Sequence, residues 1–215
     1  MDFKKIEQFI EKVKLPVPKQ VFAKNKKQAV EGLKKLRGAS FIVMKLISPD
    51  FLHKSEFGLV KTVEADAEIV GKTFDELVKL AKRKRRKAKI DGVLIQEKCE
   101  GVEVIIGMKR DATFGPVLLF GIGGIFAEVL QDKSLRIAPI KKEEALEMMK
   151  EIRGYRLLTG YRGMPKVNLD ALASILVRLG NYAFENEKLD EVDLNPVIVD
   201  EKKAYCVDIR IVEKK

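Results

Sequence analysis

The apolar residues of this chain follow two different spacings, which predict alternating helices and strands. A recurrence every three to four residues is typical of helices with one buried face, and it predicts helices at 2–13, 26–37, 73–89, 141–153 and 168–184. Short apolar runs predict strands at 20–23, 41–45, 60–63, 93–96, 103–108, 117–120, near 192, at 197–199 and at 204–211. Because these elements alternate without long linkers, we expect an α+β or α/β body of two close-packed lobes.

Length and composition narrow the class of protein. The chain has 215 residues, of which 46% are hydrophobic, so it can bury a substantial core. No apolar run approaches the roughly 20 residues of a membrane helix, and the N-terminal residues lack the apolar stretch of a secretory signal. Two cysteines and one histidine argue against a disulfide framework and a His-rich zinc site. We therefore expect a cytoplasmic protein. The 34% of charged residues, with only five Asn and five Gln, is typical of thermophiles.

The net charge of +10 comes mostly from one segment. Eight basic residues and no acidic one lie between Lys79 and Lys89, so the remainder of the chain carries a net charge of only +2. Cations at the end of the predicted helix favour a solvated surface that suits the helix dipole. A nucleic-acid contact and an acidic partner surface are the alternatives, although no aromatic residue interleaves the segment to stack on bases.

Two candidate phosphate-handling residues lie close together in the sequence. Lys45 closes a predicted buried strand, where its ammonium can act as a point charge for a phosphate, although many such lysines are structural. The polar loop that follows contains His53, the single histidine of the chain. An imidazole can act as a general base or accept a phosphoryl group on nitrogen, but it can also be an ordinary loop residue.

Two further clusters combine turns with polar side chains. Gly121, Gly123 and Gly124 follow a predicted strand and permit close approach of a ligand, but they match neither a dinucleotide fingerprint nor a P-loop. Asp193 and Asn195 precede Pro196, and Asp208 lies in the last strand. If the segments 192–199 and 204–211 form a hairpin, Asn195 and Asp208 face each other as oxygen ligands for magnesium. The same acids can also simply solvate the strand ends.

Together with other short motifs, these residues occur in the order of a known family. The matching segments cover nearly the whole chain and are Leu15-Pro16-Val17-Pro18, 42–55, 92–97, 101–107, Phe114-Gly115-Pro116, the turn 121–124, Arg136-Ile137-Ala138-Pro139 and Asp193-Leu194-Asn195-Pro196. The chain resembles the beta subunit of archaeal ADP-forming acetyl-CoA (acyl-CoA) synthetase. That protein has an ATP-grasp fold and is related to the beta subunit of succinyl-CoA synthetase.

The resemblance implies an ATP-grasp fold whose two lobes clamp a magnesium nucleotide, ATP or ADP. It divides the chain into an N-terminal helix at 1–15, a lid subdomain at 16–91 and a C-terminal subdomain at 92–215. The implied roles are as follows: Lys45 and the Gly58 loop contact phosphates, Gln96 and Glu97 lie at the adenine, Glu103 holds the ribose, Asn195 and Asp208 bind Mg²⁺, and Asp193 lies near the site of phosphoryl transfer. The family pattern has a second glycine after Gly58, where this chain has Leu59.

The resemblance also implies a reaction and a partner. The family converts acyl-CoA, ADP and phosphate to the free acid, CoA and ATP, and His53 matches a histidine proposed to relay the phosphoryl group. A CoA-binding alpha subunit supplies the first phosphohistidine, and the expected assembly is an α2β2 heterotetramer, with acyl-CoA and phosphate handled through the partner. The alternatives are a stand-alone ATP-grasp carboxylate ligase and a nucleic-acid-binding module that uses the basic segment.

Overall fold

The computed structural model describes residues 3–51, 54–124, 132–162 and 165–214. Contacts between residues divide the chain into two compact units. The first consists of Met1–Phe3 and Pro18–Lys98, and the second of Lys4–Val17 and Cys99–Lys215. The expected boundary after residue 91 therefore differs from the boundary in the structure. Residues 92–97 belong to the first unit because they form a central strand of its sheet.

The first unit is a four-stranded antiparallel sheet with helices on one face. Its strands are β1 (Gln20–Ala23), β2 (Phe41–Ile47), β3 (Val60–Glu64) and β4 (Gly92–Glu97), in the order β1-β4-β2-β3. The helices are α2 (Lys26–Gly32), which continues as a 3₁₀ turn at Leu33–Leu36, and α3 (Ala67–Lys84). Alternate side chains of β2 and β4 pack with α3 to form the core, and they are Ile42, Met44, Leu46, Val93 and Ile95.

The second unit is built on a larger antiparallel sheet. Its strands are β5 (Val102–Asp111), β6 (Gly115–Ile122), β7 (Lys133–Ile137), β8 (Leu189–Val199), β9 (Ala204–Cys206) and β10 (Ile209–Glu213). The order is β10-β8-β5-β6-β7, and β9 also pairs with β8. Its helices are α1 (Phe3–Val13), which begins in the first unit, α4 (Lys142–Glu151), α5 (Tyr155–Leu158) and α6 (Leu169–Glu185). Apolar side chains from one sheet face and from these helices form its core.

Helix α3 begins six residues earlier than the apolar spacing predicts and ends at Lys84 rather than at residue 89. Asp66 caps its first turn, since the Asp66 Oδ1 accepts hydrogen bonds from the backbone N–H groups of Glu68 and Ile69. Gly71 lies within the added turns, where a glycine usually argues against a helix. Gly71 faces Lys26 and Val30 of α2: a Cβ there would lie 2.8 Å from Cε of the flexible Lys26 side chain and 3.6 Å from Val30 Cγ2.

Strand β7 was not predicted, and its side chains explain why. Ser134 is buried and its hydroxyl donates to the Met148 carbonyl, whereas Leu135 and Ile137 are 52% and 53% exposed. A serine points towards the core and two aliphatic residues point outward, which inverts the usual pattern of a half-buried strand. In the described ranges, no helix has the length and apolar character needed to cross a membrane.

Candidate active site

Lys45 lies on the face of the first sheet opposite its helices. The sequence predicts Lys45 as the last residue of its strand. Strand β2 instead continues to Ile47, so Lys45 lies within the strand. Successive strand residues point to opposite faces, and the even-numbered neighbours Met44 and Leu46 pack in the helix-side core. Lys45 therefore projects from the face opposite α2 and α3, which we call the open face because neither of these helices covers it, although Lys45 itself is buried at 7% exposure.

Gln96 lies on the same open face. In the β2/β4 register, Lys45 pairs with Leu94 and Val43 pairs with Gln96, so Lys45 and Gln96 are diagonal neighbours about 7–8 Å apart at their backbones. The Gln96 side chain is 3% exposed, and its Nε2 donates to Gln20 Oε1 over 2.7 Å. Sequence reasoning missed Gln20, because only the β1/β4 register brings it opposite Gln96.

The other side-chain atom of Gln96 makes this face a candidate ligand site. Its Oε1 is buried and has no hydrogen-bond partner among the described residues. A buried carbonyl oxygen without a donor costs about 1–3 kcal/mol, so a ligand that brings an N–H group is favoured there. The adenine amine implied by the resemblance is such a donor. Glu97 is the next residue on the strand, so its side chain points to the other face, and its contact with adenine stays a prediction.

The loop around Gly58 is organised by its own backbone. The Gly58 N–H donates to the Ser55 carbonyl and the Leu59 N–H donates to the Lys54 carbonyl, each over 2.9 Å. Both amides are thus engaged within the loop, and binding a phosphate through them requires these bonds to open. The Leu59 side chain is fully buried in the core of the first unit, which accounts for a leucine at this position. His53 lies outside the described residues.

In the second unit the predicted hairpin is present and brings Asn195 next to Asp208. Val197 pairs with Cys206, and the Asn195 backbone N–H donates to the Asp208 carbonyl over 3.1 Å. The expected last strand is interrupted at Val207 and Asp208, between β9 and β10, so Asp208 lies in a bend beside β8 rather than in a strand. An amide oxygen and a carboxylate that lie side by side form a suitable donor pair for Mg²⁺, which typically takes one or two protein ligands and completes its shell with phosphates and water. Within the described ranges no group of three or more His, Cys, Asp or Glu side chains is arranged for a metal.

Asp193 adds a third acidic position to this region. Burial raises the pKa of the Asp193 carboxyl, and the charges of Asp208 and Glu191 raise it further, whereas Arg210 lowers it. Arg210 lies opposite Asp193 in the β8/β10 register, a pairing that the sequence alone did not reveal. A carboxylate that is partly desolvated beside another anion favours a cation nearby.

We expect Asp193→Asn to raise the thermal stability of the protein without ligands. Because the folded-state pKa is raised above the ordinary value of 3.8, ionised Asp193 destabilises the folded state, and this penalty grows as the pH rises through the raised pKa. The expected increase in Tm at pH 7 is roughly 1–3 °C, since solvent screens the half-buried charge, and it disappears towards pH 4. Thermal unfolding at both pH values checks this, with Asp190→Asn as the control. A lower Tm for Asp193→Asn at pH 7 would contradict the prediction.

Glu103 lies against the glycine turn of the second unit. The Gly123 N–H donates to the Glu103 carbonyl over 2.8 Å, and a Cβ at Gly123 would lie 3.0 Å from the Glu103 carbonyl carbon. A larger residue at Gly123 would therefore be tightly packed against the Glu103 backbone. The Glu103 side chain is exposed and its Oε2 lies near Gly124. Residues 125–128, the remainder of the glycine cluster, lie outside the described residues.

Comparisons with known proteins agree with the resemblance. The family model of the ATP-grasp domain matches residues 1–212. The chain is 41% identical over 199 residues to the beta subunit of acetate–CoA ligase [ADP-forming] I from Pyrococcus furiosus, which covers 92% of this chain and 85% of the relative.

Solved structures give the same result. A structure of acetyl-coenzyme A synthetase 1 from Ca. Korarchaeum cryptofilum, in complex with coenzyme A, Ca-AMPCP and HgCl⁺, matches with a TM-score of 0.91 and 40% identity over 97% of this chain and 90% of that one. A second structure of that protein, with coenzyme A, acetyl-coenzyme A and a phosphorylated phosphohistidine segment, matches with a TM-score of 0.87 and 38% identity over 98% and 92% of the two chains. The expected fold is thus confirmed, and the chain belongs to the ATP-grasp family, among the beta subunits of the ADP-forming acetate–CoA ligases.

Proposed function

We propose that this chain is the nucleotide-binding beta subunit of an ADP-forming acyl-CoA synthetase, which converts acyl-CoA, ADP and phosphate to the free acid, CoA and ATP. One observation carries the proposal. A buried lysine, Lys45, and a buried acceptor without a donor, Gln96 Oε1, lie as diagonal neighbours on the open face of the first sheet. A nucleotide supplies the two complementary groups, a phosphate for the ammonium and a base N–H for the amide oxygen. The nucleotide analogue bound in the Korarchaeum protein supports this proposal.

Each side chain then has a definite role towards the nucleotide. Lys45 binds the phosphates as a point charge, and Gln96 accepts a hydrogen bond from the adenine amine. Glu97 lies near the same base. Glu103 accepts hydrogen bonds from the ribose hydroxyls, in keeping with its exposed carboxylate beside the glycine turn.

Asn195 and Asp208 hold Mg²⁺ through their side-chain oxygens. Their backbones are hydrogen-bonded to each other, and the donor set of one amide and one carboxylate suits a hard cation shared with phosphates. When bound, the ion neutralises charge that develops on the phosphate oxygens. Asp193 keeps a negative charge beside this pair and so favours the cation, while Arg210 limits the repulsion between the carboxylates.

Phosphoryl transfer uses His53 as a relay. In the partner subunit, phosphate displaces CoA from acyl-CoA, and the resulting acyl phosphate gives its phosphoryl group to a histidine with release of the carboxylate. The P–N bond of that phosphohistidine breaks as a P–N bond to His53 forms. A β-phosphate oxygen of ADP then attacks the phosphorus, and the bond to His53 breaks to give ATP. Transfer of this kind depends mainly on positioning, which we assign to Lys45, Asp193 and the Gly58 loop.

The chain needs a partner to complete this cycle. It has one histidine and no dinucleotide-type fingerprint that could serve CoA. The beta-subunit name of the Pyrococcus relative and the phosphohistidine segment of the Korarchaeum protein support a CoA-binding alpha subunit. We propose an α2β2 heterotetramer that works in the cytoplasm, and both of these points stay predictions.

The test is ATP formation from acetyl-CoA, ADP and phosphate, measured for this chain alone and with the alpha subunit from the same source. We expect turnover only when both subunits are present and Mg²⁺ is supplied. Turnover of ATP by the isolated chain with an acid and an amine or thiol acceptor would instead identify a stand-alone ligase. Tight, strongly salt-dependent binding of nucleic acid, without turnover, would identify the basic segment as the functional surface.

A further inference from the structure

The basic segment 79–89 has no role in the proposed reaction, yet one of its residues holds the loop that leads to His53. Arg85 Nη1 donates to the Asp50 carbonyl over 2.6 Å, and the Arg85 guanidinium lies 5.3 Å from the centroid of the Phe51 ring. A guanidinium can satisfy a carbonyl and stack on an aromatic face at the same time, because it is planar. Arg85 thereby fixes both the backbone and the side chain at the start of the loop.

Three further hydrogen bonds hold the start of the loop, at Ser48 and Asp50. The Lys89 backbone N–H donates to Asp50 Oδ2 over 2.7 Å, and the Ser48 hydroxyl donates to the Lys89 carbonyl over 2.6 Å. Ser48 Oγ also accepts from the Asp50 N–H over 3.1 Å. Residues 48–51 are therefore joined to the segment after α3 by side chains and backbone together.

The other end of the loop is tied to the same segment. The Phe57 ring packs edge-on against Phe51, with ring centroids 5.2 Å apart, and Lys84 Nζ lies 5.7 Å from the Phe57 ring centroid. Next to Phe57, the Gly58 and Leu59 amides close the turn described above. Both described flanks of residues 52 and 53 thus rest on α3 and on the residues that follow it.

Three other cations of the segment make no contacts of this kind. Arg85, Arg83, Arg86 and Lys87 are all exposed, but the last three make no side-chain hydrogen bond or ion pair within the part of the chain that the structure describes. Arg86 carries the same charge as Arg85 one residue further along the chain. It separates the effect of a local positive charge from the effect of the Arg85 contacts.

We propose that Arg85 is a positioning residue for phosphoryl transfer, acting through residues 48–51 and 54–59 of the His53 loop. This inference rests on the proposed function, in which the loop presents His53 and Gly58. A displacement of about 1 Å in a reacting group can cost about 10²-fold in rate. Nucleotide affinity depends instead on Lys45 and Gln96, which Arg85 does not contact. Loss of Arg85 therefore lowers kcat and leaves the KM for ADP nearly unchanged.

The experiment compares Arg85→Ala, Arg85→Lys and Arg86→Ala in the complex with the alpha subunit. We expect Arg85→Ala to lower kcat about 10- to 100-fold with the KM for ADP within about twofold of wild type. Arg85→Lys keeps a cation over Phe51 but loses the planar fork, so its kcat lies between those of Arg85→Ala and wild type. Arg86→Ala retains wild-type kcat. If Arg85→Ala does not fold, Arg85→Lys decides the matter, and wild-type kcat in that variant overturns the proposal.

Two other outcomes overturn the proposal, and a second readout separates its failure from failure of the proposed function. Wild-type kcat in Arg85→Ala, or an equal loss of kcat in Arg86→Ala, shows that the contacts of Arg85 do not position the reaction. If the wild-type complex itself has no turnover, the proposed function fails, and amide hydrogen exchange then tests the loop alone. Faster exchange at Gly58 and Leu59 in Arg85→Ala but not in Arg86→Ala shows that Arg85 holds the loop, and equal exchange refutes the proposal whatever reaction the chain catalyses.

Discussion

Replacing His53 with alanine abolishes ATP formation by the complex of this chain with its alpha subunit. The imidazole is the only one in the chain, so no other imidazole of this subunit can accept the phosphoryl group on nitrogen. We expect kcat to fall at least about 10³-fold, since loss of a covalent nucleophile removes the intermediate itself rather than one of its contacts. The measurement follows labelled phosphate, supplied with acetyl-CoA, into each subunit and into ATP. In wild type the label appears on both chains, and in His53→Ala it stops at the alpha subunit.

A neighbouring substitution serves as the control for this experiment. Ser55 is exposed on the same loop, and its backbone carbonyl, which accepts from the Gly58 N–H, is unaffected by Ser55→Ala. Ser55→Ala should therefore retain both labelling and turnover. If His53→Ala makes ATP at the normal rate, His53 is an ordinary loop residue. The histidine of the partner then transfers its phosphoryl group directly to ADP.

The sequence predicted those parts of the fold that depend on local pattern. Strand β2 contains a strongly apolar run and α6 has a regular apolar face, so each was placed within a few residues. Strand β8, by contrast, is one continuous strand where two short strands were expected, near 192 and at 197–199. Strand β7 escaped prediction because its buried side chain is a serine that bonds to a helix carbonyl, while its aliphatic residues are exposed. A pattern of hydrophobicity cannot reveal a strand that inverts that pattern.

In the candidate site, too, the sequence predicted local relations between residues but not those that depend on strand register. Asn195 and Asp208 lie in segments that are joined by a short turn, so the predicted hairpin places them side by side. The structure confirms this proximity. The relation between Lys45 and Gln96 depends on the register of β2 and β4, strands that are separated by the whole of α3. The pairing of Asp193 with Arg210 also requires a register between strands, which the sequence does not specify. The roles of these residues came from the resemblance, whose strength lies in the order of many weak motifs.

Removing the carboxylate of Asp208 should eliminate magnesium-dependent binding of the nucleotide. Asp208 supplies one of two proposed protein ligands, and Asn195 alone provides no negative charge to hold the cation. We expect Asp208→Ala to reduce turnover at least about 10²-fold at a fixed, near-physiological Mg²⁺ concentration.

The increase in Tm on binding Mg²⁺ and ADP distinguishes a metal ligand from a structural residue. A ligand that saturates the site about 100-fold above its Kd stabilises the folded state by about 2.7 kcal/mol, which corresponds to an increase in Tm of roughly 5–10 °C for a chain of this size. Wild type should show this increase with Mg²⁺ and ADP, and Asp208→Ala should show less than about 2 °C. Glu201→Ala removes the same charge from the exposed turn of the same hairpin and should retain the full increase. Retention of the increase by Asp208→Ala would remove Asp208 from the magnesium site, whereas a lower Tm without ligand would assign it a structural role.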